Sequence, residues 1–311
     1  MKRFIRAVLP AFLLAVSVGQ IYAFTNFSSE IAAYIGRTQQ QVQWAFSFGI
    51  FFLGMGAAFF GKIVERNIRL STIIGTSLFL SGLCVTAVGV TTKSLALVYL
   101  GYGFLIGLGT GVIYISPVKT MMLWFPEHKA IAAALPIISF GLGSTLSTIV
   151  YKGFGFGGPE SLLSFRFLGL YDFFRVGEGG LGIAKVFYAF AAFYAVPMVA
   201  ACFLLKKPKV EVQSFGHGIP ALEFSYRRLF GDSFFLRSWL FMFLNISAGL
   251  CLIPLAKQMM RSPAVGYADG LVTAVIALSG LMNGGGRFLF AWWSDRLARF
   301  LRAARQYFCV V

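Results

Sequence analysis

"GKIVERNIR", Gly61 to Arg69, and "AWWSDRLAR", Ala291 to Arg299, are two copies of one pattern. Each reads small-x-x-x-acid-Arg-x-x-Arg: Glu65 precedes Arg66 and Arg69, and Asp295 precedes Arg296 and Arg299. Each copy also closes a long apolar run. A bilayer-crossing helix needs about 20 mostly apolar residues. The chain holds eight such runs, at roughly 7–26, 42–61, 70–91, 96–124, 130–150, 185–205, 237–256 and 268–293. The signature therefore follows the second and the eighth run, the kind of internal repeat that transporter folds carry. An acid beside arginines at a helix end can pair with them and with a helix N-terminus. Such a cluster can latch two helices in one conformation and release them in another. The plainer alternative is an ordinary basic turn holding an occasional acid.

Composition agrees with an integral membrane protein. The 311 residues are 58% hydrophobic and 12% charged, and the mean hydropathy is +0.78, whereas soluble domains are about 45–50% apolar and about 25% charged. The net charge of +16 is not a nucleic-acid footprint, because the basic residues sit in short segments between apolar runs. The first run, after "MKRFIR", lacks a small-residue cleavage site and carries Gln20 and Tyr22, so it reads as a retained helix rather than a signal peptide. One set of alternating connections and termini holds 17 Lys and Arg residues, among them Lys2, Arg3, Arg6, Lys62, Arg66, Arg69 and Lys206; the other holds 8, including Arg37, Lys93 and Lys152. The richer side is expected to be cytoplasmic. An even number of spans then puts both termini inside, in a cell (inner or plasma) membrane.

Enzyme chemistry finds no foothold. Cys84, Cys202, Cys251 and Cys309 are far apart, with neither metal-ligand nor disulfide spacing. His128 and His217 stand in polar connections away from any carboxylate cluster. No cofactor or metal is expected. Two connections are long: 206–236, polar and basic, and 151–184, rich in glycine and aromatics. The second is expected to be a loosely structured interfacial loop, with a gating lid as the alternative. The expected division is a six-helix bundle over 1–205, a cytoplasmic loop over 206–236 and a partial second bundle over 237–311.

The repeated signature resembles the loop motif of the major facilitator superfamily, which recurs after helices two and eight. "GYGFLIGLGTGVIYISPVKTMMLWFPEHKAIAAALPIISFGLGSTL" (Gly101–Leu146), "GQIYAF" (Gly19–Phe24) and "NGGGRFLFAWWSDRLAR" (Asn283–Arg299) are similar to the oxalate/formate antiporter family. The departures are mild: Glu65 stands where Asp is usual, and Ala130, Ala291 and Ala298 where glycine is common. The fold class implied is an all-α, major-facilitator-type membrane bundle of about eight transmembrane helices, six from the first half and two from the second. The function implied is secondary active transport of small organic carboxylate anions by alternating access, with a proton or counter-anion as the coupled ion. A monocarboxylate (lactate or pyruvate) porter is the neighbouring alternative, and a non-transporting membrane remnant or scaffold is the alternative from another class.

Candidate site residues follow from both routes. Arg287 lies seven residues before Ser294, about 10 Å inside the helix end, where an arginine costs about 2.5–3.5 kcal/mol to insert. Asn283 is one turn away on the same face, and Gly284 to Gly286 clear space. That arrangement suits carboxylate binding by the guanidinium fork, against snorkelling past Trp292 and Trp293; the family's matching arginine binds the substrate carboxylate. Lys119, five residues before Trp124, is either a second buried cation or a snorkelling one. Tyr22, Tyr114 and Phe140 match positions where the family lines its cavity with aromatics, and Gln20 is a candidate polar contact. Gly103, Gly107 and Gly111 make a one-faced stripe expected to serve packing. Family carriers have twelve helices and take a second carboxylate-binding cation from the eleventh. The tail "FLRAARQYFCVV" ends where a ninth would begin, so a C-terminally truncated, less stable carrier is expected.

Overall fold

The computed structural model describes residues 3–126, 129–156, 165–176, 181–206, 208, 230–260, 262 and 266–267, with scattered positions between 271 and 297. The long helices are α1 (Phe4–Ile35), α2 (Gln39–Arg66), α3 (Ile68–Thr91), α4 (Leu95–Trp124), α5 (Lys129–Lys152), α6 (Gly182–Leu204) and α7 (Ser233–Met260). Helices α1 to α6 each hold a stretch long and apolar enough to cross a membrane. The seventh expected span falls inside α7, and the described positions between 271 and 297, on the eighth, are all helical.

Short, well-capped turns join the first helices. Gly36 ends α1 at φ 69°, a left-handed conformation that glycine adopts without strain. Thr38 opens α2 with a reciprocal capping box: its Oγ1 accepts from the Gln41 amide at 3.3 Å, and Gln41 Oε1 accepts from the Thr38 amide at 3.1 Å. Only Asn67 separates α2 from α3. Its extended backbone breaks the helix, and its Oδ1 accepts from the Leu70 amide at 3.1 Å to start the next one.

Helix α4 is the hub of the described bundle. Gly103, Gly107 and Gly111 face α2 as expected: a Cβ on Gly107 would lie 2.5 Å from the Gly49 carbonyl oxygen, and one on Gly103 2.9 Å from Phe48 Cβ. A second small-residue face, which the sequence reading had not separated, meets α3. There a Cβ on Gly109 would lie 2.8 Å from the Gly75 carbonyl, and one on Gly101 2.5 Å from the Thr86 amide. Helices α1 and α5 cross as closely at Gly19 and Gly143, where a Cβ on either glycine would lie 2.9 Å from the other's Cα. Without hydrophobic drive between helices in lipid, such close backbone packing is what holds them together.

Two expectations need correction. The first helix does not stop near residue 26 but runs to Ile35. Its polar extension is anchored: Asn26 Nδ2 donates to Thr148 Oγ1 at 2.9 Å, and Glu30 pairs with Lys152 at 3.3 Å, both on α5. The connection after α5 is not loose where it is described. Strands β1 (Phe154–Phe156) and β2 (Phe165–Phe167) pair antiparallel with Phe154 opposite Phe167, and a helical turn at Leu170–Phe173 follows. Tyr171 from that turn lies 3.4 Å under the Lys152 ammonium, so cation–π attraction pins the connection to the end of α5.

The core is aromatic. Phe27 meets Tyr151 at 4.6 Å and Phe190 at 5.6 Å edge-to-face, while Phe190 stacks on Tyr194 at 5.7 Å. These rings join α1, α5 and α6.

Candidate functional site

The middle of α1 is not regular α-helix. Gly19–Phe24 winds as 3-10 helix, which carries Gln20 and Tyr22 at the crossing with α5. Since Gly19 and Gly143 bring the two backbones together, Phe140 of α5 arrives beside Tyr22, 5.1 Å between ring centroids and edge-on. Tyr114 of α4 meets the other side of Phe140 at 5.8 Å, again edge-on. Phe46 of α2 closes the group, 6.3 Å from Tyr22. Three of the sequence candidates thus form one cluster drawn from three helices. Phe140 is buried, whereas Tyr22 and Tyr114 are half-buried, so each tyrosine offers an apolar ring and a polar tip.

Gln20, two residues before Tyr22 on α1, is fully buried, and neither Oε1 nor Nε2 has a hydrogen-bond partner. The Tyr102 hydroxyl lies beside it but donates to the backbone carbonyls of Ile21 at 3.0 Å and Gln20 at 3.4 Å. A buried amide left unpaired costs about 1–3 kcal/mol, and such groups call for an explanation in function. Thr110, one turn before Tyr114, is likewise buried with an unpartnered Oγ1. Thr110 and Phe46 were not among the sequence candidates. The four-residue spacing from Thr110 to Tyr114 is a signal that was available for the first, while nothing in the sequence marks Phe46.

Lys119 is half-buried on α4, five residues beyond Tyr114 towards Trp124. Arg287 and Asn283 lie outside the described residues. Of the two latch signatures, Arg66 and Arg69 stand exposed on either side of the Asn67 break, and the Arg296 guanidinium sits 4.4 Å over the Trp292 ring. The Glu65 side chain, Asp295 and Arg299 lie outside the described residues, so no pairing between the signatures is described.

The helix ends sort into two faces. On one, the Lys206 amide donates to the Arg6 carbonyl at 3.2 Å and Trp124 Nε1 to the Lys206 carbonyl at 2.8 Å. On the other, Lys93 stands 5.2 Å over the Tyr34 ring, and Glu30 pairs with Lys152. The aromatic cluster lies between the two faces.

The family model described as Major Facilitator Superfamily matches residues 10–311. The chain is 27% identical over 290 residues to the uncharacterized MFS-type transporter YhjX of Escherichia coli (strain K12), covering 91% of this chain and 64% of that protein. It is 23% identical over 304 residues to the oxalate:formate antiporter of Oxalobacter formigenes, covering 96% of this chain and 65% of that protein. A stretch of 93 residues is 30% identical to the probable transporter MCH1 of Debaryomyces hansenii, covering 30% of this chain and 15% of that one. The chain spans just under two thirds of the length of the two bacterial relatives.

Proposed function

Because this chain belongs to the Major Facilitator Superfamily, we propose that it takes part in moving a small organic carboxylate across a cell membrane by alternating access. The observation that carries this reading is the Tyr22–Phe140–Tyr114 cluster, with the unpartnered amide of Gln20 two residues before Tyr22 on α1. A carboxylate between aromatic edges meets the positive rim of each ring. Gln20 gains the hydrogen bond that it lacks. Arg287 is the anion anchor of the proposal, because its fork offers two parallel donors to one carboxylate, and Asn283, four residues earlier in the sequence, is proposed as a second polar contact. Lys119 either lends a second charge from α4 or reaches the interface.

Glu65, Arg66, Arg69, Asp295, Arg296 and Arg299 are proposed as the latch that holds one conformation. The similarity to the oxalate:formate antiporter favours oxalate or formate as substrate, with a counter-anion or proton coupled. The excess of 17 over 8 basic residues between the two sets of connections favours a cytoplasmic position for both ends of the chain.

The test is counterflow of labelled oxalate, formate and pyruvate into proteoliposomes loaded with the same unlabelled acid. Oxalate or formate uptake that Arg287→Gln abolishes, with membrane insertion unchanged, is the expected result. Uptake of pyruvate alone would move the assignment to a monocarboxylate porter. Unchanged affinity in Arg287→Gln refutes the anchor, and absence of uptake with all three acids refutes the transport reading.

A further inference from the structure

Away from the aromatic cluster, helix ends meet around one surface cleft. It has a volume of about 280 Å³ and is lined by Arg66, Asn67, Ile68, Arg69, Leu205 and Lys206. Three of these six carry positive charge, and among the described residues no acid pairs with any of them. Helix α3 begins in the cleft, at Ile68, so the positive end of a 24-residue helix adds to the field. Asn67 spends its side-chain oxygen on the Leu70 amide and brings no negative group to the site.

The wall is also held in place. The Lys206 backbone is clamped from two sides, by the Arg6 carbonyl and the Trp124 indole. The Arg69 guanidinium rests 5.4 Å over the Phe203 ring, an aromatic support that costs arginine little freedom. Phe203 is 62% exposed and Leu70 48%. Both belong to helices apolar enough to span a membrane, so the cleft has a charged floor and an apolar flank running into the bilayer. A free anion needs only the floor; an amphiphile uses both.

We propose that this cleft binds an anionic phosphate group, supplied by the headgroup of an acidic phospholipid or by free phosphate. Basic pockets between helices at a membrane surface recognise such groups by charge, and the arginine forks suit phosphate oxygens. The volume approaches the lower end of small-molecule pockets, ~300 Å³, which fits a phosphoglycerol group and little more. The inference does not depend on which solute the chain moves.

The purified full chain in detergent micelles is titrated with dioleoylphosphatidylglycerol or dioleoylphosphatidylcholine, and retained lipid is counted by native mass spectrometry with and without excess inorganic phosphate. Retention of phosphatidylglycerol over phosphatidylcholine is expected, weakened roughly 5-fold by Lys206→Gln and further by adding Arg66→Gln. Lys93→Gln, at the far end of α3, leaves it unchanged. Lys206 is a surface side chain, so its variant keeps the fold; matching helical circular dichroism checks this. Phosphatidylglycerol that excess phosphate does not displace assigns the site to lipid, whereas displacement assigns the same chemistry to the free anion. Equal retention of both lipids, or retention of phosphatidylglycerol undiminished in the double variant, overturns the proposal.

Discussion

At the scale of single residues, Gln20 is the sharpest probe of the site. As a structural side chain it is a poor choice, since its amide is buried without a partner, and an apolar residue of like size avoids the 1–3 kcal/mol penalty, roughly, that such burial carries. Gln20→Leu is therefore expected to unfold at the same temperature or higher while substrate affinity falls at least about 5-fold, the loss of one hydrogen bond of ~1 kcal/mol. Thermal unfolding and binding measured on the same preparation separate the two effects. A lowered melting temperature with unchanged affinity makes Gln20 a packing residue. The sequence showed Gln20 as a polar residue in an apolar run, but not that its partners are missing, because hydrogen-bond satisfaction depends on what the neighbouring helices bring. Phe46 shows the same limit: one phenylalanine among 35 has no mark until α2 packs beside Tyr22.

At the scale of elements, the glycine contacts separate structural from idle positions. Gly107 lies against the Gly49 backbone, whereas nothing lies within 4 Å of a Cβ on Gly54. Gly107→Val is expected to destabilise by the ~1–3 kcal/mol typical of overpacking, or more where backbone must move, and Gly54→Ala to leave the melting temperature unchanged. Equal melting temperatures would show that α2 and α4 do not meet there. The Glu30–Lys152 pair, with side chains only 15% and 17% exposed, gives a second test. Glu30→Gln leaves a largely buried ammonium without its acid, a loss of up to about 3–5 kcal/mol softened by the Tyr171 ring. Glu30→Gln with Lys152→Met is expected to recover most of it, and a double-mutant cycle by thermal unfolding reads the coupling. Additive losses would show that the pair is not coupled. Periodicity and hydrophobicity made the six described spans legible, and the stripe Gly103–Gly107–Gly111 was legible as packing. The end of α1 was not, because Asn26 and Glu30 look like the polar exit of a span until α5 supplies Thr148 and Lys152. The hairpin after α5 was hidden for a related reason: Phe154–Gly155–Phe156 and Phe165–Arg166–Phe167 alternate over only three residues each, too short to mark a strand, and the turn that follows is pinned by a cation–π contact with a residue of the preceding helix.

At the scale of the molecule, the alternation of the helices fixes which ends share a face, and the charge asymmetry is the ground for the proposed orientation, with the basic face towards the cytoplasm. The Lys206 backbone joins Arg6 and Trp124 at one face, donating to the Arg6 carbonyl and accepting from the Trp124 indole, while Tyr34 with Lys93 and Glu30 with Lys152 mark the other. Helices α2 and α3 turn at Asn67 on the first face, which puts Arg66 and Arg69 with Lys206. The connections on this face are the ones rich in Lys and Arg, and positive charge resists translocation. Single cysteines introduced as Arg66→Cys and Lys93→Cys, with Cys84, Cys202, Cys251 and Cys309 changed to serine, therefore report opposite sides. A membrane-impermeant maleimide added to intact cells is expected to label the Lys93→Cys protein at once. The Arg66→Cys protein is expected to react only after the membrane is opened. Labelling of both from outside would mean that the helices do not alternate across a bilayer as the bundle requires. Labelling of Arg66→Cys alone from outside would keep the bundle and invert it, overturning the orientation drawn from charge and placing the phosphate cleft on the outer surface.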